Sequence, residues 1–155
     1  PKPTIVAASG AAIAGGFFLV LASDYRIAGP KARFGLAEVR VGVNFPVGPL
    51  AIARATLAPN DLRPLMLGGH PIGAEAALAA GIGDLLAAAD AVVVRAVSVA
   101  RDYAAIPPGT FAEVKRQMRG PVIETIQTAM ANEANTPPEG WFTAETKAAM
   151  SRMLG

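Results

Sequence analysis

Short apolar runs separated by glycine, proline and charged residues fill the first half of the chain. Residues 4–8, 25–28 and 32–35 are runs of the length and composition that predict short strands. Residues 17–22 are apolar on every side, which predicts a helix inside the core rather than on its surface. Short strands that alternate with short helices indicate an α/β architecture.

The second half of the chain reads as helical, with proline and glycine marking the boundaries between helices. Gly81 is expected to end one of these helices, and Asp90 is expected to cap the start of the next long one. The helices predicted in this half cover residues 50–54, 61–67, 72–80, 91–105, 109–119, 121–135 and 143–154. The chain therefore divides into an α/β part and a helical tail, with no repeat or long linker between them.

Composition removes several classes of function. The 155 residues fit one domain, and 14 basic against 12 acidic residues give a net charge of +2 with no dense basic run, which does not suggest nucleic-acid binding. The sequence contains no cysteine, so thiolate chemistry and cysteine-ligated metals are excluded. His70 is the single histidine, too few for a multi-histidine metal site, and no metal ligand is assigned.

A membrane span is not predicted, although residues 5–22 form a run of about the right length. Ser9, Gly10 and two further glycines interrupt this run, and charged residues follow it without an aromatic belt. A buried strand followed by a buried helix explains the run better. We expect a soluble, cytoplasmic protein that does not bind a membrane.

The passage from Ser9 to Gly16 is expected to be a corner where a strand turns at glycines into a helix. The first N–H groups of a helix have no acceptor within the helix, and partial positive charge gathers there. Such a corner can hold a phosphate, a carboxylate or a developing oxyanion. On this pattern alone, Gly15 and Gly16 are more often a tight packing corner than a binding site.

Several segments, in order, give the corner a more specific meaning, because together they resemble the crotonase family, the enoyl-CoA hydratase/isomerase superfamily. They read KPTIVAASG, AGG and ASDYRIA near the start of the chain, then FGLAEVRVG and LGGHPIGAEAALAAGI. The resemblance is collinear over at least residues 2–84. It implies a spiral of ββα units, here the C-terminal half of the family core in residues 1–84, with the upstream part of the family fold missing. Residues 85–155 match the family's helical oligomerisation region.

The resemblance also implies a substrate and partners. The substrate would be an acyl-CoA thioester of fatty acid metabolism, so that coenzyme A belongs to the substrate and no separate cofactor is expected. The chains would assemble as homotrimers or as hexamers made of two trimers.

Particular residues inherit roles from the family pattern. Gly15 matches a backbone donor to the thioester oxygen in the oxyanion hole, and Glu38 matches a catalytic glutamate. The second oxyanion donor lies upstream of this chain. Ala14, Phe18 and Pro46 are expected to line the acyl pocket.

Two of these positions depart from the hydratase pattern. Phe18 stands where the family has its other glutamate, and Pro46 has no N–H to hold a water molecule. Both losses concern water, so the residues favour an isomerase that moves a proton with Glu38 over a hydratase. Two alternatives remain: a non-catalytic or weakly active acyl-CoA-binding protein, and a hydratase that takes its second carboxylate from an upstream segment.

Other charged and aromatic residues have simpler interpretations. Glu38, taken alone, is a solvated charge or a partner of Arg33 or Arg40, and Asp24 is expected to pair locally with Arg26. His70 is expected to be exposed. The remaining expectations are a solvated basic face, or contacts to CoA phosphates, for Lys115, Arg116 and Arg119, and a role in anchoring the last helix for Trp141 and Phe142.

Overall fold

The computed structural model describes residues 1–134 and 136–154, the last two without their side chains. The strands are β1 (Ile5–Ala8), β2 (Ala11–Ile13), β3 (Tyr25–Ala28), β4 (Arg33–Gly35), β5 (Ile72–Gly73) and β6 (Leu85–Leu86). The helices are α1 (Gly15–Ala22), α2 (Val47–Thr56), α3 (Pro59–Arg63), α4 (Ala74–Ala79), α5 (Val92–Ala104), α6 (Pro108–Ala131) and α7 (Ala144–Leu154). A 3₁₀ turn spans Glu38–Val41, and a π-helical turn spans Pro64–Gly68.

The strands form two small sheets, and the chain alternates between the two sheets as it proceeds. One sheet has the order β1-β3-β6 with all strands parallel, and the other has the order β2-β4-β5 with β5 antiparallel. The chain runs from β1 to β2, through α1, and then repeats the same path in β3 and β4. The amide of Gly29 donates to the carbonyl of Ala8 at 2.8 Å, which joins the two repeats at their corners. This stacking is the ββα spiral expected of a crotonase core.

The core lies between α1 and the strands. Phe17, Leu21, Phe34 and Leu36 are almost completely buried there, and the rings of the two phenylalanines lie 5.7 Å apart. Burial of large apolar side chains of this kind is the main term that stabilises such a unit. Helix α1 also packs against α2, which in turn packs against α6.

A smaller cluster forms where α5 covers β1 and β3. Its buried members are Ile27, Val92 and Ala96. The strand β6, which follows α4, adds to the same sheet beside β3.

The structure corrects several predicted elements. The strand that leads into α1 is the short β2, not β1, because the chain turns at Ser9 and Gly10 before it reaches the helix. Helix α1 is not buried on all sides, since Leu19 is 74% exposed. Asp90 does not cap α5, whose N-cap is Ala91 and has no side-chain hydrogen bond.

Two further boundaries differ. The predicted helix over residues 72–80 begins as strand β5 and becomes helical only at Ala74, although Gly81 follows it in the left-handed region at φ +67° as expected. The two helices predicted on either side of Gly120 are one continuous helix, α6, with Pro121 inside it. Asn135, the predicted end of the second, lies outside the described residues. Among the described helices, we find none that is both long enough and apolar enough to cross a bilayer.

Candidate active site

The glycine corner and the Glu38 turn leave the same edge of one sheet. Strands β2 and β4 are parallel with Ile13 opposite Gly35, so their carboxyl ends lie side by side. The amide of Ala14 donates to the carbonyl of Gly35 at 2.9 Å and joins the two segments directly after the strands end. Gly15 follows one strand and Glu38 follows the other, which brings both predicted site segments to one place.

The corner itself has an unusual backbone. Ala14 has φ 52° and ψ −123°, a region that an L-residue enters at a cost of roughly 1–3 kcal/mol. Its carbonyl accepts from the amides of Phe17 and Phe18 at 2.9 and 3.4 Å, and these are the first hydrogen bonds of α1. The amides of Gly15 and Gly16 come earlier in the helix, where no intrahelical acceptor is available.

The two glycines of the corner have open surroundings. Gly15 and Gly16 are both exposed, and a Cβ atom built on either one would meet no atom within 4 Å. A strained residue that leads into open backbone donors is an arrangement often found where a ligand is bound. The corner can therefore donate hydrogen bonds to an oxygen atom that carries negative charge.

Glu38 begins the 3₁₀ turn and is only 8% exposed. Its carboxylate oxygen Oε2 is buried and has no hydrogen-bond partner. Burial raises the pKa of this carboxyl group above its ordinary value, although a hydrogen bond from its own backbone amide acts in the opposite direction. A carboxyl group with a raised pKa and a free oxygen is suited to accept and return a proton.

The interpretation of Glu38 as a solvated charge or as half of an ion pair is wrong. Arg40 donates from Nε to the carbonyl of Gly68 at 2.8 Å, and Arg33 donates from Nη2 to the carbonyl of Pro71 at 3.4 Å. Within the described part of the chain, neither arginine forms a salt bridge with Glu38. Both guanidinium groups are directed to the neighbouring loop, which leaves the carboxylate without a positive partner.

Phe18 lies in the first turn of α1, and Pro46 is the residue before α2. Phe18 is 8% exposed, and its ring meets that of Phe45 edge to face with centroids 6.4 Å apart. Pro46 directly precedes α2 in an extended conformation and is half-buried. Phe18 and Phe45 thus form an apolar aromatic pair. That Ala14, Phe18 and Pro46 line an acyl pocket stays a prediction.

Several charged residues pair differently from the predicted way. Asp24 does not pair with Arg26; it accepts from Lys115 of α6 at 2.6 Å, and both side chains are largely buried. Arg26 instead lies 3.3 Å from a carboxylate oxygen of Asp84. Lys115 is therefore not part of a solvated face, because it ties α6 to the strands.

The predictions for His70, Trp141 and Phe142 have different outcomes. His70 is exposed, as predicted, and its ring contacts Arg40. Phe142 is 67% exposed, so it does not anchor α7, whereas Trp141 is half-buried. Among the described residues, no three His, Asp or Glu side chains lie together in a way that could hold a metal ion.

One contact at the Glu38 turn was not predicted from the sequence. Thr146 of α7 is 1% exposed and donates to the carbonyl of Gly42, the residue that ends the turn. The two residues are 104 positions apart, and no local pattern relates them. The pair of threonines at the start of α7, Thr143 and Thr146, was the available signal, but it reads as an ordinary helix cap.

Comparison with known proteins shows the family to which the chain belongs. The model of the family described as enoyl-CoA hydratase/isomerase matches residues 1–152, nearly the whole chain. The chain therefore belongs to the enoyl-CoA hydratase/isomerase family, the crotonases.

A curated relative from Mycobacterium tuberculosis, the probable enoyl-CoA hydratase EchA17, is 38% identical over 117 residues. That match covers 74% of this chain and 44% of the relative, so the chain spans less than half the length of this relative.

Solved structures agree with the fold. An enoyl-CoA hydratase/isomerase from Pseudoalteromonas atlantica T6c superposes with a TM-score of 0.84 at 26% identity, covering 99% of this chain and 61% of that chain. The apo structure of an enoyl-CoA isomerase from M. tuberculosis has a TM-score of 0.80 at 31% identity, covering 86% of this chain and 60% of that chain.

Proposed function

We propose that this chain forms part of an enzyme that moves the double bond of an enoyl-CoA thioester. Glu38 is the acid and base, and the Gly15 amide donates a hydrogen bond to the thioester oxygen. The observation that carries the proposal is a buried carboxylate with an unpartnered oxygen at the sheet edge that also bears the open glycine corner. The family gives the substrate class, because its members act on acyl-CoA thioesters.

The proposed reaction balances within the substrate. The Glu38 carboxylate removes a proton from C2 of a 3-enoyl-CoA, and the electron pair moves to the thioester oxygen to give a dienolate. The Gly15 amide donates to that oxygen as it gains charge, and one such donor is worth roughly 3–4 kcal/mol of transition-state stabilisation. The neutral Glu38 then returns the proton to C4, which leaves a 2-enoyl-CoA.

The aromatic pair favours this reaction over hydration. Hydration needs a second group that accepts a proton from water, and Phe18 cannot do so. Phe18 and Phe45 also make the place beside the corner apolar, which disfavours a bound water molecule there.

The substrate brings its own coenzyme A, so the proposal invokes no separate cofactor. We also propose that residues 85–155 form the oligomerisation region of a homotrimer or hexamer, and that the protein acts in the cytoplasm. These statements rest on the family resemblance.

Enoyl-CoA hydration is the second candidate, because the curated relatives that match this chain are named probable enoyl-CoA hydratases. It requires a carboxylate from outside the described residues, near Phe18. A protein that binds acyl-CoA without turning it over is the third candidate. All three bind the same ligand, so they are separated by the reaction and not by affinity.

The test uses the full-length protein with 3-enoyl-CoA and 2-enoyl-CoA substrates. We expect isomerisation, accompanied in deuterated buffer by deuterium incorporation whenever the proton on Glu38 exchanges with solvent before it is returned, and Glu38→Gln is expected to slow both by about 100-fold or more. Glu124→Gln, an exposed glutamate on α6, is the matched control and should leave both rates unchanged. Fast hydration that persists in Glu38→Gln would reject the isomerase proposal, and no turnover of either substrate would favour the binding protein.

A further inference from the structure

Helix α7 begins directly against the turn that carries Glu38. Thr146, in the first turn of α7, is 1% exposed and donates from its hydroxyl to the carbonyl of Gly42 at 2.7 Å. Thr143 supports this hydroxyl from the residue before the helix, since the two threonine Oγ1 atoms lie 3.0 Å apart. The Thr143 Oγ1 also accepts from the amide of Thr146 at 3.2 Å, so two hydrogen bonds fix the threonine that reaches Gly42.

Gly42 connects this contact to Glu38. It ends the 3₁₀ turn in the left-handed conformation at φ +66°, and its amide is bonded to the carbonyls of Glu38 and Val39. The next amide, of Val43, also donates to the Glu38 carbonyl, at 3.0 Å. A Cβ atom on Gly42 would lie 3.1 Å from the backbone nitrogen of Thr146, so the helix start leaves no room for a side chain there.

The position of the Glu38 carboxyl group depends on this turn. One of its oxygens has no hydrogen-bond partner, and no arginine of the described residues pairs with it. The side chain is therefore placed by the backbone that carries it. Arg40 holds one side of that backbone through its bond to Gly68, and Thr146 holds the other side through Gly42.

We propose that Thr146 is a positioning residue, which sets the location of the Glu38 carboxyl group by anchoring the end of its turn to α7. This inference rests on the proposed function of Glu38 as the acid and base. A catalytic group displaced by about 1 Å can lose about 100-fold in rate, so a loosened turn is expected to lower the rate of proton transfer. Substrate binding at the glycine corner does not involve Thr146 and should not change.

The experiment compares three variants of the full-length protein in the isomerisation assay. Thr146→Val removes the hydroxyl but keeps the shape, and kcat should fall about tenfold with KM unchanged. Thr146→Ser keeps the hydroxyl and should restore kcat. Thr125→Val is the control for the loss of a threonine hydroxyl elsewhere, because Thr125 is exposed, donates to the carbonyl of Pro121 at 2.9 Å within α6, and does not contact the Glu38 turn.

Hydrogen exchange of the Val43 amide provides a second readout that does not depend on catalysis. We expect this amide, which bonds to the Glu38 carbonyl, to exchange faster in Thr146→Val and at the normal rate in Thr146→Ser. If Thr146→Val does not fold, Thr143→Ala removes the support of the Thr146 hydroxyl and should lower kcat in the same direction. An unchanged kcat in Thr143→Ala would then overturn the proposal.

The outcomes separate this inference from the proposed function. If Glu38→Gln is inactive while Thr146→Val keeps full kcat, the positioning role is wrong and the proposed function stands. If Glu38→Gln and Thr146→Val both keep full activity, the catalytic role of Glu38 is wrong. Hydrogen exchange of the Val43 amide then tests by itself whether Thr146 anchors the turn. Faster exchange in Thr146→Val would support the anchor, and unchanged exchange would reject it.

Discussion

Burial of Glu38 should make folding stability depend on pH in a way that one substitution reveals. Burial raises the pKa of this carboxyl group above its ordinary value of 4.5, so the folded protein holds a proton that the unfolded chain has already released. Stability from this group is fully present below pH 4.5 and is lost as the pH rises through the raised pKa of the folded state. Glu38→Gln cannot titrate and should not show this loss.

The magnitude follows from linkage. The free energy of unfolding of the wild type, minus that of Glu38→Gln, should fall by at most about 1.4 kcal/mol for each pH unit above 4.5. The fall should level off once the pH passes the pKa in the folded state. In Glu38→Gln, the side-chain amide occupies the buried position at which Oε2 has no hydrogen-bond partner. A buried amide group without a partner lowers the free energy of unfolding by about 1–3 kcal/mol at every pH. This constant term shifts the difference but not its slope.

The measurement is urea unfolding of both proteins from about pH 4 to about pH 8, with Glu124→Gln as a control for the removal of one exposed carboxylate. Because other titrating groups are common to both proteins, they cancel in the difference. Parallel stability curves for the wild type and Glu38→Gln would show that Glu38 is not desolvated, and the argument for its raised pKa would fail. If the free energy of unfolding of the wild type, minus that of Glu38→Gln, rose with pH, the pKa of Glu38 would be lowered on folding and not raised.

Two further predictions concern α1 and the tie between α6 and the strands. Phe18→Ala should lower the free energy of unfolding by about 3–5 kcal/mol, because Phe18 is buried against Phe45, whereas Leu19→Ala on the exposed side of the same helix should change it by less than about 0.5 kcal/mol. For Asp24, burial alone would raise the pKa, but hydrogen bonds from Lys115 and from Thr4, the residue before β1, outweigh it and lower the pKa below 3.8. Asp24→Asn should therefore cost about 1–3 kcal/mol at neutral pH, measured by urea unfolding. That cost should shrink as the pH falls below 3.8 through the lowered pKa of the folded state, and a cost that persists in acid would contradict the charge-based explanation.

The strands show what apolar patterning predicts and where it stops. β1 and β3 are four residues long, and their apolar composition was enough to predict them almost to the residue. β2 has three residues and β6 has two, too few for any period to appear. These short strands exist because neighbouring strands offer them hydrogen bonds, as β4 does for β2 and β3 does for β6, and this is a property of the tertiary structure.

Helix α6 shows the limit of a local rule. Proline inside a helix removes one backbone hydrogen bond, so a break near Gly120 and Pro121 was a sound prediction. The helix continues because Pro121 is exposed and the side of α6 that meets α2 remains packed. Packing along the helix offsets a loss that would end an isolated one.

The candidate site depends both on local sequence and on contacts between distant parts of the chain. The identities of Gly15 and Glu38 are local, and the resemblance to the family was enough to select them. What makes Glu38 suited to proton transfer is not local: its two candidate arginine partners are bound to another loop, and its turn is held by Thr146, which lies 104 positions after Gly42. Sequence alone allowed Glu38 to be solvated, paired or catalytic, because those states differ only in contacts between distant parts of the chain. The buried, unpaired carboxylate in the structure removes the first two, and the catalytic interpretation becomes the one to test.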